Sequence, residues 1–186
     1  NKEMKKVSVI LILIVALISC EKESILDSTF NCNSKRISNS KRISDFKKNF
    51  SIVIPISYKT DLYYNSFQSE IFTADTTKQL SNSFILKVSN NSGELIYNDK
   101  FFKKIDSVSK NINQKLVISQ IEPFKDNEMY WNVFKSVKQG FTYHQFNSYI
   151  KTSNNSYINS SIEIYGDINI NERLCEAVNL LKTIDF

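Results

Sequence analysis

From Tyr157 to Tyr165 the chain alternates strictly, with Ile158, Ile162 and Ile164 on one side and Asn159, Ser161 and Glu163 on the other. A period of two belongs to a strand buried on one face only. Shorter apolar runs read the same way. Phe50 to Ile54 ends at Pro55, and Phe67 to Ala74 and Phe84 to Ser89 are each bounded by polar turns. The period then changes. Leu95, Phe101, Phe102, Ile105, Val108 and Ile112 recur at threes and fours, which predicts a helix after Gly93 whose apolar face Asn98 interrupts.

Beyond it, Leu116 to Ile121 predicts a strand stopped near Pro123, and Asp126-Asn127 supplies a turn before Met129 to Val137. Gly140 separates that strand from Phe141 to Ile150, as in a hairpin, and Ser153-Asn154-Asn155-Ser156 turns the chain into the alternating segment. Finally, Asn171 is placed to cap a helix that turns Leu174, Ala177, Val178, Leu181 and Ile184 inward. Strands grouped around one central helix, with a second helix closing the chain, predict an α+β domain over residues 46–186: a mostly antiparallel sheet with helices packed on its faces.

The N-terminal quarter follows another pattern. Val7 to Ile18 is a run of about a dozen residues behind Lys5-Lys6, too short to cross a hydrocarbon core of ~30 Å but of the length of a signal-peptide h-region. Residues 20–45 are polar with isolated apolar positions, and Asn33-Ser34-Lys35-Arg36-Ile37-Ser38 repeats at once as Asn39-Ser40-Lys41-Arg42-Ile43-Ser44. Such a stretch buries too little surface to offset its ordering entropy, so a flexible linker is expected over 20–45.

Leu17-Ile18-Ser19-Cys20 resembles the lipobox of bacterial lipoproteins. The resemblance implies a signal peptide over residues 1–19, Cys20 as mature N-terminus and lipid attachment site, and two or three acyl (palmitate-type) chains on it, enough for lasting membrane attachment. Glu21-Lys22-Glu23-Ser24 is similar to the charged export signal behind that cysteine in Bacteroidota surface lipoproteins. It implies a cell-envelope protein, attached to the outer membrane on its surface or periplasmic side. The order of elements resembles the PsbP-like family, on Phe50-Ser51-Ile52-Val53-Ile54-Pro55, Tyr130-Trp131 and the run from Glu172 to Phe186. That resemblance implies an α/β/α sandwich and an adaptor or assembly factor, not an enzyme, and carries over no functional residue.

Charge and chemistry narrow the classes. The formal net charge is +5, but without residues 1–19 the chain has 21 basic and 18 acidic residues, which is no nucleic-acid footprint. His144 is the only histidine, with no Gly-x-Ser-x-Gly elbow and no glycine-rich loop among three glycines. With two thiols left beside that histidine, no zinc site is expected, nor any cofactor apart from the lipid on Cys20. Cys32 and Cys175 can pair in an exported compartment, or Cys175 can be a small buried hydrophobe. Glu122, Asp126, Glu128 and Glu163 are the acids available for hydrolysis. Tyr130, Trp131, Tyr143, His144 and Tyr165 are the candidate ligand or partner surface, in an aromatic set that also holds Tyr63, Tyr64, Tyr149 and Tyr157, because Tyr and Trp join apolar area to a polar handle. The expectation is a non-enzymatic, monomeric lipoprotein domain that binds an envelope protein, with small-ligand or glycan binding as the alternative and a hydrolase third.

Overall fold

The computed structural model describes residues 24–186. Its main sheet has seven antiparallel strands, in the order β3-β4-β5-β9-β8-β7-β6. These are β3 (Lys59–Tyr64), β4 (Gln68–Ala74), β5 (Ile85–Ser92), β6 (Lys115–Phe124), β7 (Asn127–Lys138), β8 (Phe141–Lys151) and β9 (Ser156–Tyr165). A separate hairpin pairs β1 (Ser40–Ser44) with β2 (Ser51–Pro55). Helices α1 (Ile25–Phe30), α2 (Asp99–Asn111) and α3 (Ile170–Leu181) complete the fold. It is α+β, as the grouping of strands around two helices predicts.

The alternation of β9 sets the layers. Ile158, Ile162 and Ile164 share a face with Leu86 and Val88 of β5, Phe146 and Ile150 of β8, and Trp131 and Val133 of β7. That face is the core, closed by Leu174, Ala177, Val178 and Leu181 of α3, by Ile52 and Ile54 of β2, and by Leu26 of α1. Tyr130, Tyr149 and the odd-numbered residues of β9 point to the opposite face, where Phe101 of α2 packs edge-on against both tyrosines.

Four expectations change. The segment expected as a flexible linker is folded from Ser24: α1 buries Leu26, the second hexapeptide copy is β1, and Asp45 is buried. Glu122 anchors α1, because its carboxylate accepts hydrogen bonds from Ser24 Oγ (3.0 Å), Ile25 N (2.7 Å), Leu26 N (3.2 Å) and Trp131 Nε1 (2.7 Å). Pro123 does not end its strand. It lies within β6, an edge strand, whose outer side needs no ladder donor there. Asn98 is the N-cap of α2, its side chain accepting from Phe101 N, and so it marks the start of the helix; Leu95 is buried ahead of it. α3 begins one residue before Asn171, after Asn169 in the left-handed region with no side-chain cap. The buried Arg173 guanidinium holds this end instead, donating to Ser83 O (3.1 Å) and Tyr165 O (2.9 Å).

Candidate functional site

Strand parity divides the five candidate surface residues. Tyr130, Tyr143 and Tyr165 lie on the α2 side of the sheet; Trp131 and His144 lie on the core side. Trp131 is 0 % exposed, within 6.0 Å of the Phe146 ring and 5.9 Å of Phe30. It is a core residue and can meet no partner, which corrects its assignment to a binding surface. His144 Nε2 lies 3.2 Å from Asp167 Oδ1 at the end of the sheet. Hydrogen bonds from Thr142 and His144 hold the Asp167 carboxyl below the usual range. The candidates therefore form no single surface.

Tyr143 and Tyr165 pack together, with ring centroids 5.1 Å apart. Lys138 Nζ sits over both rings, 3.7 Å from Glu163, whose carboxylate accepts from Tyr165 OH at 3.0 Å. Burial, with Glu163 nearby, raises the Tyr143 phenol. Tyr130 is taken up in an aromatic cluster with Phe101, Phe102 and Tyr97. Cys20 lies outside the described residues. Cys32 and Cys175 are joined in a disulfide, so of the two alternatives the structure has the bridge between the segment after α1 and α3. Glu122 and Glu163 lie on opposite sides of the sheet and form no acid pair. Among the described residues no three His, Cys, Asp or Glu side chains gather as a metal site.

Those five residues leave out a cleft of about 510 Å³ between α2 and the sheet. Its roof is the apolar stripe of α2: Phe101, Ile105, Val108 and Ile112. Its floor joins a chain of uncharged amides to the rings of Phe134, Tyr149 and Tyr157. Gln145 Oε1 accepts from Gln114 Nε2 at 2.6 Å and from Tyr143 OH at 3.3 Å, and Gln145 Nε2 donates to Asn147 Oδ1 and Ser161 Oγ, both at 3.0 Å. Asn147 in turn donates to Asn132 at 2.9 Å.

The first half of α2 is moored by side-chain hydrogen bonds and ring contacts, the second by the buried Ser109. Tyr97 OH donates to Tyr149 O (2.6 Å) and accepts from Tyr130 N (3.1 Å), tying the turn before the helix to β7 and β8. Burial pushes the Tyr97 and Tyr149 phenols up to about 12, so both stay neutral at ordinary pH. The second half stands over the amides, and Val108 and Ile112 are 53 % and 55 % exposed. Helical periodicity finds the stripe and the aromatic set includes Tyr149 and Tyr157, but the amides of the floor carry neither charge nor ring. Their signal is the alternation Tyr143, Gln145, Asn147, Tyr149 in β8, a polar face too rich in amides for plain solvent exposure.

No known protein-family model and no curated protein matches the chain. Solved structures do. The solution structure of cyanobacterial PsbP (CyanoP) from Synechocystis is similar over 83 % of this chain and 96 % of that one, with a TM-score of 0.60 and 11 % identity. A point mutant of the protein Mog1 covers 79 % of this chain and 95 % of its own, at a TM-score of 0.51 and 12 % identity. A crystal structure from Bacteroides thetaiotaomicron has a TM-score of 0.49 and 11 % identity; it aligns with 79 % of this chain, which spans 48 % of it. At such identities the likeness is one of fold, and the fold of this chain is PsbP-like.

Proposed function

We propose that the protein is a non-enzymatic binding module held at the cell-envelope membrane by lipid on Cys20, and that it serves as an adaptor for an envelope protein. The observation that carries the binding role is the unpartnered apolar rim along α2 and the adjoining edge strand: Ile96, Val108, Ile112, Leu116 and Val117 are all well exposed. Exposed apolar patches mark interaction sites, and on this reading these residues form one. On the same reading α3 and α2 are the outer layers of an α/β/α sandwich, and the rim belongs to its less complete side. The tether is short, because Ser24 is already bound to Glu122. Glu21 to Glu23 alone separate it from Cys20, a span of at most ~14 Å.

A second reading, small-ligand or glycan binding, is favoured by the recessed amide floor behind that rim. Crosslinking in intact cells tests the first. The full-length protein should capture one stoichiometric envelope partner, the Val108→Asp variant should lose it, and Cys20→Ser should leave the membrane fraction. Equal capture by Val108→Asp removes the rim as docking surface, recovery of uncrosslinked monomer alone removes the adaptor role, and membrane retention of Cys20→Ser removes the anchor.

A further inference from the structure

We infer that the cleft under α2 binds an uncharged amphipathic small molecule, with an apolar body against the helix and hydroxyl or amide groups on the sheet. This rests on the second reading above and gives its ligand a chemistry. The cleft's volume, about 510 Å³, is that of sites which bury a drug-sized ligand.

The argument for that class is the mismatch between roof and floor. An amphipathic helix normally lays its stripe on apolar residues of the sheet. Here Ile105, Val108 and Ile112 line an open cleft whose sheet side sets the amides of Gln114, Gln145 and Asn147 among the rings of Phe134, Tyr149 and Tyr157. Closing α2 onto the sheet would bury amides against methyl groups and cost their hydration. Leaving it open keeps the stripe wet. A molecule with one apolar and one hydrogen-bonding side satisfies both surfaces.

Charge and hydrogen-bonding capacity narrow it further. Gln145 is saturated by its four bonds, but Asn147 uses one N–H of two, and the Gln114 carbonyl oxygen is engaged by no described residue. The amides of the floor thus offer one donor and one acceptor, both neutral, beside the hydroxyls of Tyr149 and Tyr157. The charged lining residues, Glu94, Lys100 and Lys104, are of mixed sign and come from α2 and the loop before it, not from the sheet. An ionised ligand group on the floor would lose its water and gain no counter-charge.

Hydrogen exchange on the full-length protein in lipid nanodiscs, titrated with phenyl β-D-glucoside, tests this. Benzoate, glucose and the Val108→Asp variant are the controls. Saturable protection of residues 105–112 and of β8 is expected from the glucoside, at least ten-fold weaker with benzoate or glucose, and lost in Val108→Asp while β9 stays protected. Gln114→Ala should weaken the glucoside without exposing the sheet. Absence of saturable protection, equal binding of benzoate, or indifference to Val108→Asp would overturn the inference. Partner capture in cells without glucoside binding would remove this ligand class and leave the adaptor role standing, whereas the reverse would remove the adaptor role alone.

Discussion

Asp75, just past the end of β4, is 6 % exposed. Burial raises its carboxyl, yet Thr77 outweighs this, donating its N–H at 3.0 Å and its hydroxyl at 2.6 Å, with Lys78 Nζ at 3.4 Å, so the pKa ends below the usual range. A folded-state pKa below that of the unfolded chain, ~3.9, adds stability that is complete above that value and is lost as pH falls through the folded one. Asp75→Asn should therefore lower stability at pH 7 and flatten the loss of stability below pH ~4, as read by urea unfolding across that range. Parallel acid limbs in the two proteins would exclude this role. The same scale shows where reading from sequence stops. Tyr130 and Trp131 look alike in the chain, but the pleat sends one toward α2 and the other into the core. Parity was legible; which parity faces inward depended on strands far away in sequence.

Among the elements, α1 owes most to context. Six residues cannot hold a helix alone. Its first turn is held by Glu122 from β6, its Asp27 by Lys182 just past α3 (2.6 Å), and its Phe30 by the ring of Trp131. Hydrogen bonds to a buried carboxylate are worth roughly 1.5–3 kcal/mol each, so Glu122→Gln should detach α1 ahead of the rest. Faster exchange at residues 25–32, with the sheet unchanged, is the expected result; uniform loss of protection would mean that α1 is part of the global unit. The repeated hexapeptide makes the same point. Its first copy, residues 33–38, is irregular, whereas the second copy supplies β1, because only the second lies opposite β2. Intrinsic preference is identical in the two, so pairing decides.

Across the whole molecule, the Cys32–Cys175 bridge joins positions 143 residues apart and staples the N-terminal segment to α3. A cross-link of this span restricts the unfolded chain strongly, with a typical effect of about 2–4 kcal/mol. The double variant Cys32→Ser/Cys175→Ser should lower stability in urea unfolding by that amount, and dithiothreitol should do the same to the wild type. An unchanged midpoint would show that Glu122 and Lys182 hold the segment without the bridge. Here the expectation of a mobile linker failed most clearly. The segment buries few residues of its own, and it is ordered because the rest of the domain supplies a carboxylate, a thiol and a strand edge.

The sequence by itself determined the strands with clean alternation, both long helices, the α+β class and the apolar stripe of α2, because these rest on local periodicity. Tertiary structure alone decided the folding of residues 24–45, the burial of Trp131, the disulfide and the cleft. Each of these depends on which distant residues a side chain meets. The amide floor shows why most plainly: Gln114, Asn132, Gln145 and Asn147 come from β7, β8 and the turn before β6, and only the pairing of those strands brings them together beneath α2.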